Sequence, residues 1–529
     1  MTSALDPSAR PVDRAPAGRS PAPAPEPAAP NPATRPPRPA DRLVPALNGA
    51  VLLLTAVLLL MVLRLPWIGD MGVHLATIER LRHDLLDPGN TQVDADTPSP
   101  YNSPWMVLLG LLAKASGLTG FTVLRFAALV GLTLLLTGIW HLTRTLSRHR
   151  AAPPLAVLTL ILLWGPTFFI WSGFLGFTSI SLNVSYPSTF ATGLGFHFLA
   201  LLAKSLRRGT ATSWPAWTAL GALWALIMLS HQFTGVVMTF GALGVLVSAR
   251  PWPARQTWLR LGTALAVAVA LLAVWPYYSF FSLLTIGGLE DIHRGLYEEW
   301  WMRFGYVPIG VAALAFRFAR DRRDPLVWWF LLATLMITAG GLTGHYSWGR
   351  ALPGAIIPAQ LAAALAVVEG GGRFLRRCFA VVLAAGLLAG SWAQAPSLSF
   401  VVRNEAMPET LTEKAWLPIP GYQWMTKYAR YGDVVMVDQN TGQQIPGYGF
   451  YTVAPGYPDF FLPDEPERIE ATRRYFDRST PRQEKLDALH RFGAQWVLGW
   501  PDQGLPPGDP ALRKVKTGPN GMVLYKVVG

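Results

Sequence analysis

A group of acidic and histidine side chains follows the first long apolar run of the chain. Residues 66–105 read PWIGDMGVHLATIERLRHDLLDPGNTQVDADTPSPYNSPW and include Asp70, His74, Asp94 and Asp96. Asp70 comes soon after the apolar run, and an acid so close to a hydrocarbon layer is costly to place. A desolvated carboxylate has a raised pKa and can remove a proton from an attacking hydroxyl group. Asp70 is therefore the first candidate catalytic residue, as a general base.

Asp70 also fits a structural role. It precedes a predicted helix, and an aspartate in that position can accept hydrogen bonds from the free N–H groups of the first helical turn. The helix N-terminus would lower the pKa of the carboxyl group, which opposes the effect of desolvation. A helix cap and a general base are compatible roles, and the sequence leaves both open.

A second acidic group lies in the proline-rich segment DADTPSPYNSP. Asp94 and Asp96 there fit turn formation and solvated charge. They also fit a second acidic pole that, with His74, would orient an acceptor. Together with Asn102 and water, the two carboxylates could hold a divalent cation, because hard cations prefer oxygen ligands. A divalent cation is therefore a possible cofactor, and the sequence indicates no other.

Two further polar groups stand between apolar runs. The segment HYSWGR, residues 345–350, contains His345, Tyr346 and Arg350. Arg350 could fix the depth of its helix by reaching toward the interface. It could instead bind phosphate through paired N–H donors, with His345 and Tyr346 beside it. His231, at the junction of two apolar runs, is a weaker candidate for the same phosphate, and a core histidine with a satisfied partner explains it equally well.

The composition indicates a protein that crosses a membrane several times. The chain has 529 residues, 51% of them hydrophobic and 15% charged, with a mean hydropathy of +0.29. Soluble proteins carry about 25% charged residues. The net charge of +13 comes from short basic clusters between apolar runs, a pattern of cytoplasmic loops that argues against nucleic-acid binding. The single cysteine, Cys378, excludes an intramolecular disulfide, a cysteine-based zinc site and an iron–sulfur cluster.

About eleven apolar runs are candidate transmembrane helices, since a hydrocarbon core about 30 Å thick needs about 20 apolar residues. They lie near residues 44–65, 120–141, 154–171, 187–204, 213–230, 233–249, 261–282, 304–317, 325–343, 350–369 and 378–394. The first run is too long, and too far from residue 1, for a cleavable signal peptide. Residues 1–41 are rich in proline and alanine and are predicted to be a disordered cytoplasmic tail.

The basic residues predict the orientation of these helices. Sixteen Lys and Arg residues fall in alternate linkers: Arg144, Arg148, Arg150, Lys204, Arg207, Arg208, Arg250, Arg255, Arg260, Arg317, Arg320, Arg322, Arg323, Arg373, Arg376 and Arg377. The positive-inside rule places those linkers in the cytoplasm. We therefore expect a multi-pass protein of the plasma (inner) membrane with a cytoplasmic N-terminus. The first outer loop, residues 66–119, and the C-terminal region then share the outer face.

The outer segments have recognisable patterns of their own. Residues 71–86 have the spacing of an amphipathic helix and are predicted to lie on the outer membrane surface. Residues 104–118 are apolar but too short to span a bilayer, and they are predicted to form an interfacial or re-entrant helix on the same face. After a transmembrane domain of residues 42–394, the pattern changes. Residues 395–529 are predicted to form a small extracytoplasmic α/β domain, with strands at 432–438, 495–499 and 522–528 and helices at 465–476 and 481–492.

These features resemble the GT-C superfamily of integral-membrane glycosyltransferases. Its members have an acidic residue soon after the first transmembrane helix, in an outer loop with two juxtamembrane helices, and frequently an extracytoplasmic C-terminal domain. Asp70 matches that acid, residues 71–86 and 104–118 match the two helices, and residues 395–529 match the C-terminal domain. The segment RALPGAIIP, which begins at Arg350, looks like the part that meets the donor phosphate, with His345 and Tyr346 just before it.

The resemblance implies a polytopic α-helical fold and an inverting transferase with Asp70 as catalytic base. The donor would be a polyprenyl-phosphate-linked sugar in the lipid bilayer, with its phosphate near Arg350, His345, Tyr346 and His231. The acceptor would be a lipid, glycan or protein of the cell envelope. Two departures from the family pattern are the lack of a second acid next to Asp70 and the lack of a WWD motif.

Two other functional classes fit the same sequence. One is a transporter or flippase of lipid-linked intermediates, although no convincing internal repeat of the kind common in transporters is evident. The other is a non-catalytic membrane scaffold whose C-terminal domain binds a partner.

Overall fold

The computed structural model describes residues 43–284, 289–414 and 421–528. These residues form a bundle of long apolar helices with a small α/β domain packed on one end. The prediction of a polytopic α-helical membrane protein with a C-terminal α/β domain is confirmed. The predicted disordered tail, residues 1–41, lies outside the described residues.

Twenty α-helices occur in the described part of the chain. They are α1 Val44–Arg64, α2 Met71–His83, α3 Pro104–Ser116, α4 Gly120–Leu146, α5 Ala152–Leu162, α6 Phe177–Asn183, α7 Pro187–Arg208, α8 Trp214–Ser230, α9 Gln232–Val247, α10 Arg255–Ala273, α11 Glu290–Arg294, α12 Trp300–Phe304, α13 Pro308–Arg320, α14 Pro325–Thr343, α15 Leu352–Glu369, α16 Arg373–Gln394, α17 Glu409–Thr412, α18 Gln439–Gly442, α19 Glu465–Phe476 and α20 Arg482–Arg491. A 3₁₀ turn, Tyr346–Ala351, leads directly into α15.

Each of the eleven predicted apolar runs overlaps at least one of these α-helices. Seven helical segments in the described ranges are long and apolar enough to cross a membrane: Val44–Arg64, Gly120–Leu146, Pro187–Ala211, Arg255–Ala273, Pro325–Thr343, Tyr346–Glu369 and Arg373–Phe400. Helices α3, α5, α8 and α9 are also apolar but shorter. The juxtamembrane helices expected at 71–86 and 104–118 are α2 and α3, each 13 residues long.

The run predicted at 154–171 is only partly helical. Helix α5 ends at Leu162, and the chain then continues without regular structure to Gly176. Pro166 lacks an N–H group and disfavours a helical conformation in the residue before it. That preceding residue, Gly165, packs so closely that a Cβ atom would lie 2.3 Å from the carbonyl oxygen of Met302. The non-helical segment is therefore free to line a cavity beside the helices.

The bundle is held together by close helix contacts around a central helix. Helix α15 is almost entirely buried, against α5, α13, α14 and α16. Helices α4 and α7 pack along their length, and a Cβ atom on Gly138 would lie 2.6 Å from the carbonyl oxygen of Gly193. Small residues permit such close approach, which favours helix association within a membrane. The central position of α15 fixes the 3₁₀ turn that carries Arg350.

The C-terminal domain is built on a five-stranded mixed sheet in the described residues. Its strands are β1 Val434–Met436, β2 Tyr451–Thr452, β3 Trp496–Gly499, β4 Leu512–Thr517 and β5 Val523–Val527, in the order β2-β1-β3-β5-β4. Strand β1 is parallel to β2 and β3, whereas β5 is antiparallel to β3 and β4. The three predicted strands are β1, β3 and β5. The sequence pattern missed β2, which has two residues, and the largely exposed β4.

The C-terminal domain packs directly on α2. A Cβ atom on Gly72 would lie 1.7 Å from the carbonyl oxygen of Gln443, so only glycine permits this approach. The backbone N–H of Thr452 donates a hydrogen bond of 2.9 Å to the carbonyl oxygen of Gln92 in the first outer loop. The Gln92 side chain makes two hydrogen bonds with the backbone of Tyr457. Its oxygen accepts one of 3.0 Å from the Tyr457 N–H, and its nitrogen donates one of 3.2 Å to the Tyr457 carbonyl oxygen. The two domains are therefore in contact through backbone as well as side chains.

Candidate active site

A cavity of about 430 Å³ lies where the helix bundle meets the first outer loop and the C-terminal domain. Residues of α2, α6, α7, α8, α9 and α11, of the non-helical segment after α5 and of the 3₁₀ turn before α15 all contribute to it. Four of its polar lining residues are Asp70, His74, His231 and Arg350. The volume is within the usual range for small-molecule sites, about 300–1,000 Å³. The sequence placed these four residues among its candidates, and the fold brings them into one cavity.

Asp70 lines this cavity at the start of α2. It occupies the cap position of the helix, but its side chain makes no capping hydrogen bond. Within the described residues the carboxylate has neither a hydrogen-bond donor nor an ion-pair partner. Burial raises the pKa of Asp70, and the positive charge of Arg350 acts in the opposite direction. The structure therefore leaves the carboxylate free to face a ligand.

The turn before Asp70 is held by two tyrosines from distant parts of the chain. The hydroxyl group of Tyr186 donates a hydrogen bond to the carbonyl oxygen of Ile68. The hydroxyl group of Tyr457, from the C-terminal domain, donates one to the carbonyl oxygen of Gly69. Gly69 has a φ angle of +46°, which favours glycine. Both tyrosines also line the cavity, and the sequence carried no signal that would have identified either.

Arg350 lies in the cavity wall with only 7% of its surface exposed. Its guanidinium group lies 4.5 Å from the ring centroid of Phe233 and 5.7 Å from that of Trp171. Among the described residues it donates no hydrogen bond and forms no direct ion pair, although its charge acts on Asp70. Such burial does not fit an arginine that reaches to the interface. Five N–H donors in an aromatic setting instead suit an anionic ligand.

The histidines of the cavity differ in their surroundings. His74 packs edge-on against Tyr186, with ring centroids 4.6 Å apart, and its Nδ1 atom has no partner in the described residues. Burial lowers the pKa of His74 to about 3, so it is neutral at physiological pH. His231 caps the N-terminus of α9, and its Nδ1 atom accepts a hydrogen bond of 3.2 Å from the backbone N–H of Thr234. His293 also lines the cavity and was not among the predicted site residues.

The other predicted donor-phosphate residues lie outside this cavity. His345 is exposed, and its Nδ1 atom lies 2.9 Å from the hydroxyl oxygen of Thr343. Tyr346 packs edge-on against Tyr297 at 5.5 Å. A 3₁₀ turn has three residues per turn, so side chains four or five positions apart point in different directions. Of the HYSWGR segment, only Arg350 reaches the cavity lining.

The predicted second acidic pole also lies apart from the cavity. Asp94 and Asp96 are both exposed. The turn that carries them is closed by a backbone hydrogen bond from the buried residue Asn90. The Asn90 amide nitrogen donates a hydrogen bond of 2.7 Å to a different acid, Asp459, in the C-terminal domain. Burial raises the pKa of Asp459. No sequence pattern pointed to this residue.

The donor set for a metal ion is sparse. In residues 43–284, 289–414 and 421–528, no three side chains of His, Cys, Asp or Glu are grouped so that they could hold a metal ion. Asp94 and Asp96 would have to rely on Asn102, water or a ligand for the remaining positions. A divalent cation there stays a prediction.

The fold is similar to those of solved membrane glycosyltransferases. Arabinofuranosyltransferase AftD from Mycobacteria matches with a TM-score of 0.55 and 16% identity, over 91% of this chain and 40% of that one. ArnT from Cupriavidus metallidurans, in the apo state, matches with a TM-score of 0.50 and 16% identity, over 91% of this chain and 98% of that one. The chain thus spans about 40% of the length of AftD. No family model and no curated protein matches the sequence.

Both solved proteins are glycosyltransferases of the GT-C superfamily. The resemblance in sequence rested on three features, and the structure contains all three. They are the bundle of apolar helices, the two juxtamembrane helices after α1, and the C-terminal domain packed on the same end of the bundle as those two helices. The chain therefore shares its fold with these two membrane glycosyltransferases.

Proposed function

We propose that the chain is a membrane glycosyltransferase that moves a sugar from a polyprenyl-phosphate donor to an acceptor of the cell envelope. The observation that carries this proposal is that Asp70 and Arg350 line the same cavity. They come from opposite ends of the membrane region in sequence, yet they line one cavity, and neither side chain has a hydrogen-bond or ion-pair partner in the described residues. A carboxylate and a guanidinium cation that are both unsatisfied in the same cavity suit a ligand that has both a proton to give and a negative charge.

Asp70 is the proposed general base. The acceptor hydroxyl oxygen attacks the anomeric carbon of the donor sugar while its proton passes to the Asp70 carboxylate. The bond between the anomeric carbon and the phosphate oxygen breaks, and its electron pair leaves with the lipid phosphate. A single displacement of this kind inverts the configuration at the anomeric carbon. The raised pKa of Asp70 makes it a stronger base than an ordinary carboxylate.

Arg350 is the proposed partner of the leaving phosphate. Negative charge increases on the phosphate as the glycosidic bond breaks, and a fixed guanidinium group stabilises that charge without reorganisation of solvent. Phe233 and Trp171 surround the guanidinium and limit its contact with water. The same positive charge opposes the rise in the pKa of Asp70 and so helps to keep the base ionised.

The position of the cavity suits a donor that is anchored in the bilayer. It lies at the ends of the apolar helices, so a polyprenyl chain could remain in the lipid while the sugar phosphate enters. The positive-inside rule supports an outer-face location in the plasma membrane, with a cytoplasmic N-terminus. The similarity in fold to AftD and ArnT supports glycosyl transfer as the class of reaction.

The test is sugar transfer by the full-length protein in lipid nanodiscs, supplied with radiolabelled polyprenyl-phosphate sugars. Asp70→Asn should fold and insert normally, because the carboxylate caps no helix and pairs with no cation. Its turnover should fall by about 10²–10⁴, the usual contribution of a general base. Asp94→Asn is the matched control, since Asp94 is an exposed acid of the same outer loop outside the cavity lining.

The Asp94→Asn variant should keep the activity of the unmodified protein. Undiminished transfer by Asp70→Asn would contradict the assignment of the base. Loss of transfer in both variants would contradict the assignment of the cavity. In sealed vesicles, transfer should require that the donor is accessible on the face that carries the C-terminal domain.

A further inference from the structure

A row of polar side chains crosses the surface between α4 and α7, far from the proposed active site. Lys204 Nζ lies 2.6 Å from His141 Nε2, and His141 Nδ1 lies 3.1 Å from His197 Nδ1. His197 Nε2 in turn lies 3.1 Å from the hydroxyl oxygen of Thr137. Lys204 and Thr137 are exposed and the two histidines are half-buried. We call these four residues the histidine–lysine row.

Hydrogen-bonding rules give this row a direction. A lysine ammonium group only donates, so Lys204 donates to His141 Nε2, and the proton of neutral His141 is then on Nδ1. That proton is donated to His197 Nδ1, and His197 Nε2–H donates to Thr137. The Thr137 hydroxyl group in turn donates a hydrogen bond of 2.7 Å to the carbonyl oxygen of Thr133. Two of the three N–H donors of Lys204 therefore have no partner among the described residues.

The histidine–lysine row lies near the membrane face opposite the cavity. Helix α7 begins at Pro187, which lines the cavity. At a rise of about 1.5 Å per residue, Lys204 is roughly 25 Å further along the helix axis. Ionisable side chains on the lipid-facing surface of a helix pair are costly, and such residues usually serve a ligand or an ion. At this end of the helices, the unpaired donors of Lys204 can reach a polar group at the surface of the bilayer.

Further positive charge lies at the same ends of α4 and α7. Arg144 and Arg207 are exposed residues near the ends of the same two helices. Their guanidinium groups bond only backbone carbonyl oxygens, including those of Arg148 at 3.2 Å and Thr145 at 3.4 Å. Within the described ranges none of the three cations forms an ion pair. The carboxylate of Glu369, near the same face, accepts a hydrogen bond from Ser147 instead.

We propose that the histidine–lysine row, with Arg144 and Arg207, binds the phosphate headgroup of an anionic phospholipid in the leaflet opposite the cavity. Basic pockets between transmembrane helices recognise such headgroups through charge and N–H donors. The two free donors of Lys204 would bond the phosphate oxygens. The arginines would supply additional charge, and the exposed apolar surface of α4 would contact the acyl chains. This site is independent of the proposed sugar transfer.

The test measures lipid retention by the full-length protein, purified in a neutral detergent, by native mass spectrometry. The probes are dioleoyl phosphatidylglycerol and dioleoyl phosphatidylcholine, and inorganic phosphate is added in excess as a competitor. We expect selective retention of phosphatidylglycerol. Lys204→Gln should weaken it about fivefold, the effect expected for one basic residue at a lipid surface. Lys204→Arg should keep most of the binding.

The matched control is Lys114→Gln, because Lys114 is an exposed lysine of α3 near the cavity end of the bundle. It should leave lipid retention unchanged. Arg207→Gln should also weaken lipid retention. Agreement between the two variants would show that the loss does not come from a local structural disturbance caused by one substitution. Equal retention of the two lipids, or equal retention by Lys204→Gln and Lys114→Gln, would overturn the proposal. Displacement of the lipid by inorganic phosphate would also overturn it, because the ligand would then be a soluble anion.

Discussion

Replacing Arg80 with methionine should loosen the C-terminal domain from the first outer loop. Arg80 is 1% exposed on α2. Its guanidinium group donates hydrogen bonds to the carbonyl oxygens of Gly449, at 3.2 Å, and Phe450. The same group lies 3.6 Å from the ring centroid of Tyr451. One side chain of the outer loop thus makes two hydrogen bonds and a close cation–π contact with the C-terminal domain, and methionine can make none of these.

The size of the effect follows from these contacts. A hydrogen bond that involves a charged group contributes about 1.5–3 kcal/mol. A desolvated cation–π contact contributes about 2 kcal/mol. Because methionine retains much of the apolar packing of the arginine stem, we expect a net loss of about 3–4 kcal/mol, similar to the cost of breaking other buried charged contacts. That loss corresponds to a factor of about 10²–10³ in the ratio of docked to undocked states.

Hydrogen–deuterium exchange can measure this ratio at a single amide. The backbone N–H of Thr452 donates a hydrogen bond across the interface to Gln92, so it exchanges freely only when the domain undocks. Its exchange rate should rise by about 10²–10³ in Arg80→Met. Glycosyl transfer should fall as well, because undocking removes part of the cavity wall.

The control for this experiment is Arg82→Met on the same helix. The Arg82 side chain is 32% exposed and pairs with Glu79 at 3.6 Å, an interaction worth at most about 1 kcal/mol. It should change the exchange of Thr452 little. If Arg80→Met changed that exchange no more than Arg82→Met, the buried guanidinium would not be what holds the two domains together.

Two further predictions concern the proposed active site. Transfer should be lost as the pH falls through the pKa of Asp70, because the protonated carboxyl group cannot act as a base. Burial raises this pKa, so kcat should fall at a higher pH than it would with an ordinary carboxylate. A fall in kcat within the range of ordinary carboxylates would contradict the assignment of Asp70 as a desolvated base. Tyr457→Phe removes the hydrogen bond to Gly69 that positions Asp70, and kcat should fall about tenfold with little change in donor KM or Tm. An unchanged kcat in that variant would show that Tyr457 has no positioning role.

The main elements of the fold could be predicted because their signals are local. Apolar runs of transmembrane length, basic linkers and the alternation of strands and helices after residue 395 are all read within short windows. Errors occurred where a local feature interrupts the pattern, as at Pro166, or where an element is very short or largely exposed, as with strands β2 and β4. Helix α19 spans the predicted residues because its charged and apolar positions have a clear helical period.

The candidate site was only partly predictable. Asp70 could be identified because it follows the first apolar run closely, and that distance can be read directly from the sequence. Arg350 could be identified because it is a charged residue at the start of an apolar run. His345, so near to Arg350 in sequence, lies outside the cavity, because the direction of a side chain in a 3₁₀ turn depends on packing against neighbouring helices. Asp94 similarly lies in a turn that a backbone hydrogen bond of Asn90 closes. A hydropathy pattern cannot predict such a hydrogen bond, so it could not predict where this acid lies.

The sequence by itself determined that the chain crosses a membrane, which end of its helices gathers polar residues, and that an acid follows the first helix. These properties depend on the order of residue types along the chain. Tertiary structure alone decided that Asp70 is free of helix capping and shares a cavity with a buried Arg350. It also decided that Tyr457, 388 residues after Gly69, holds the turn before that acid. Such contacts join distant segments, and only the packing of the C-terminal domain on the helix bundle brings those segments together.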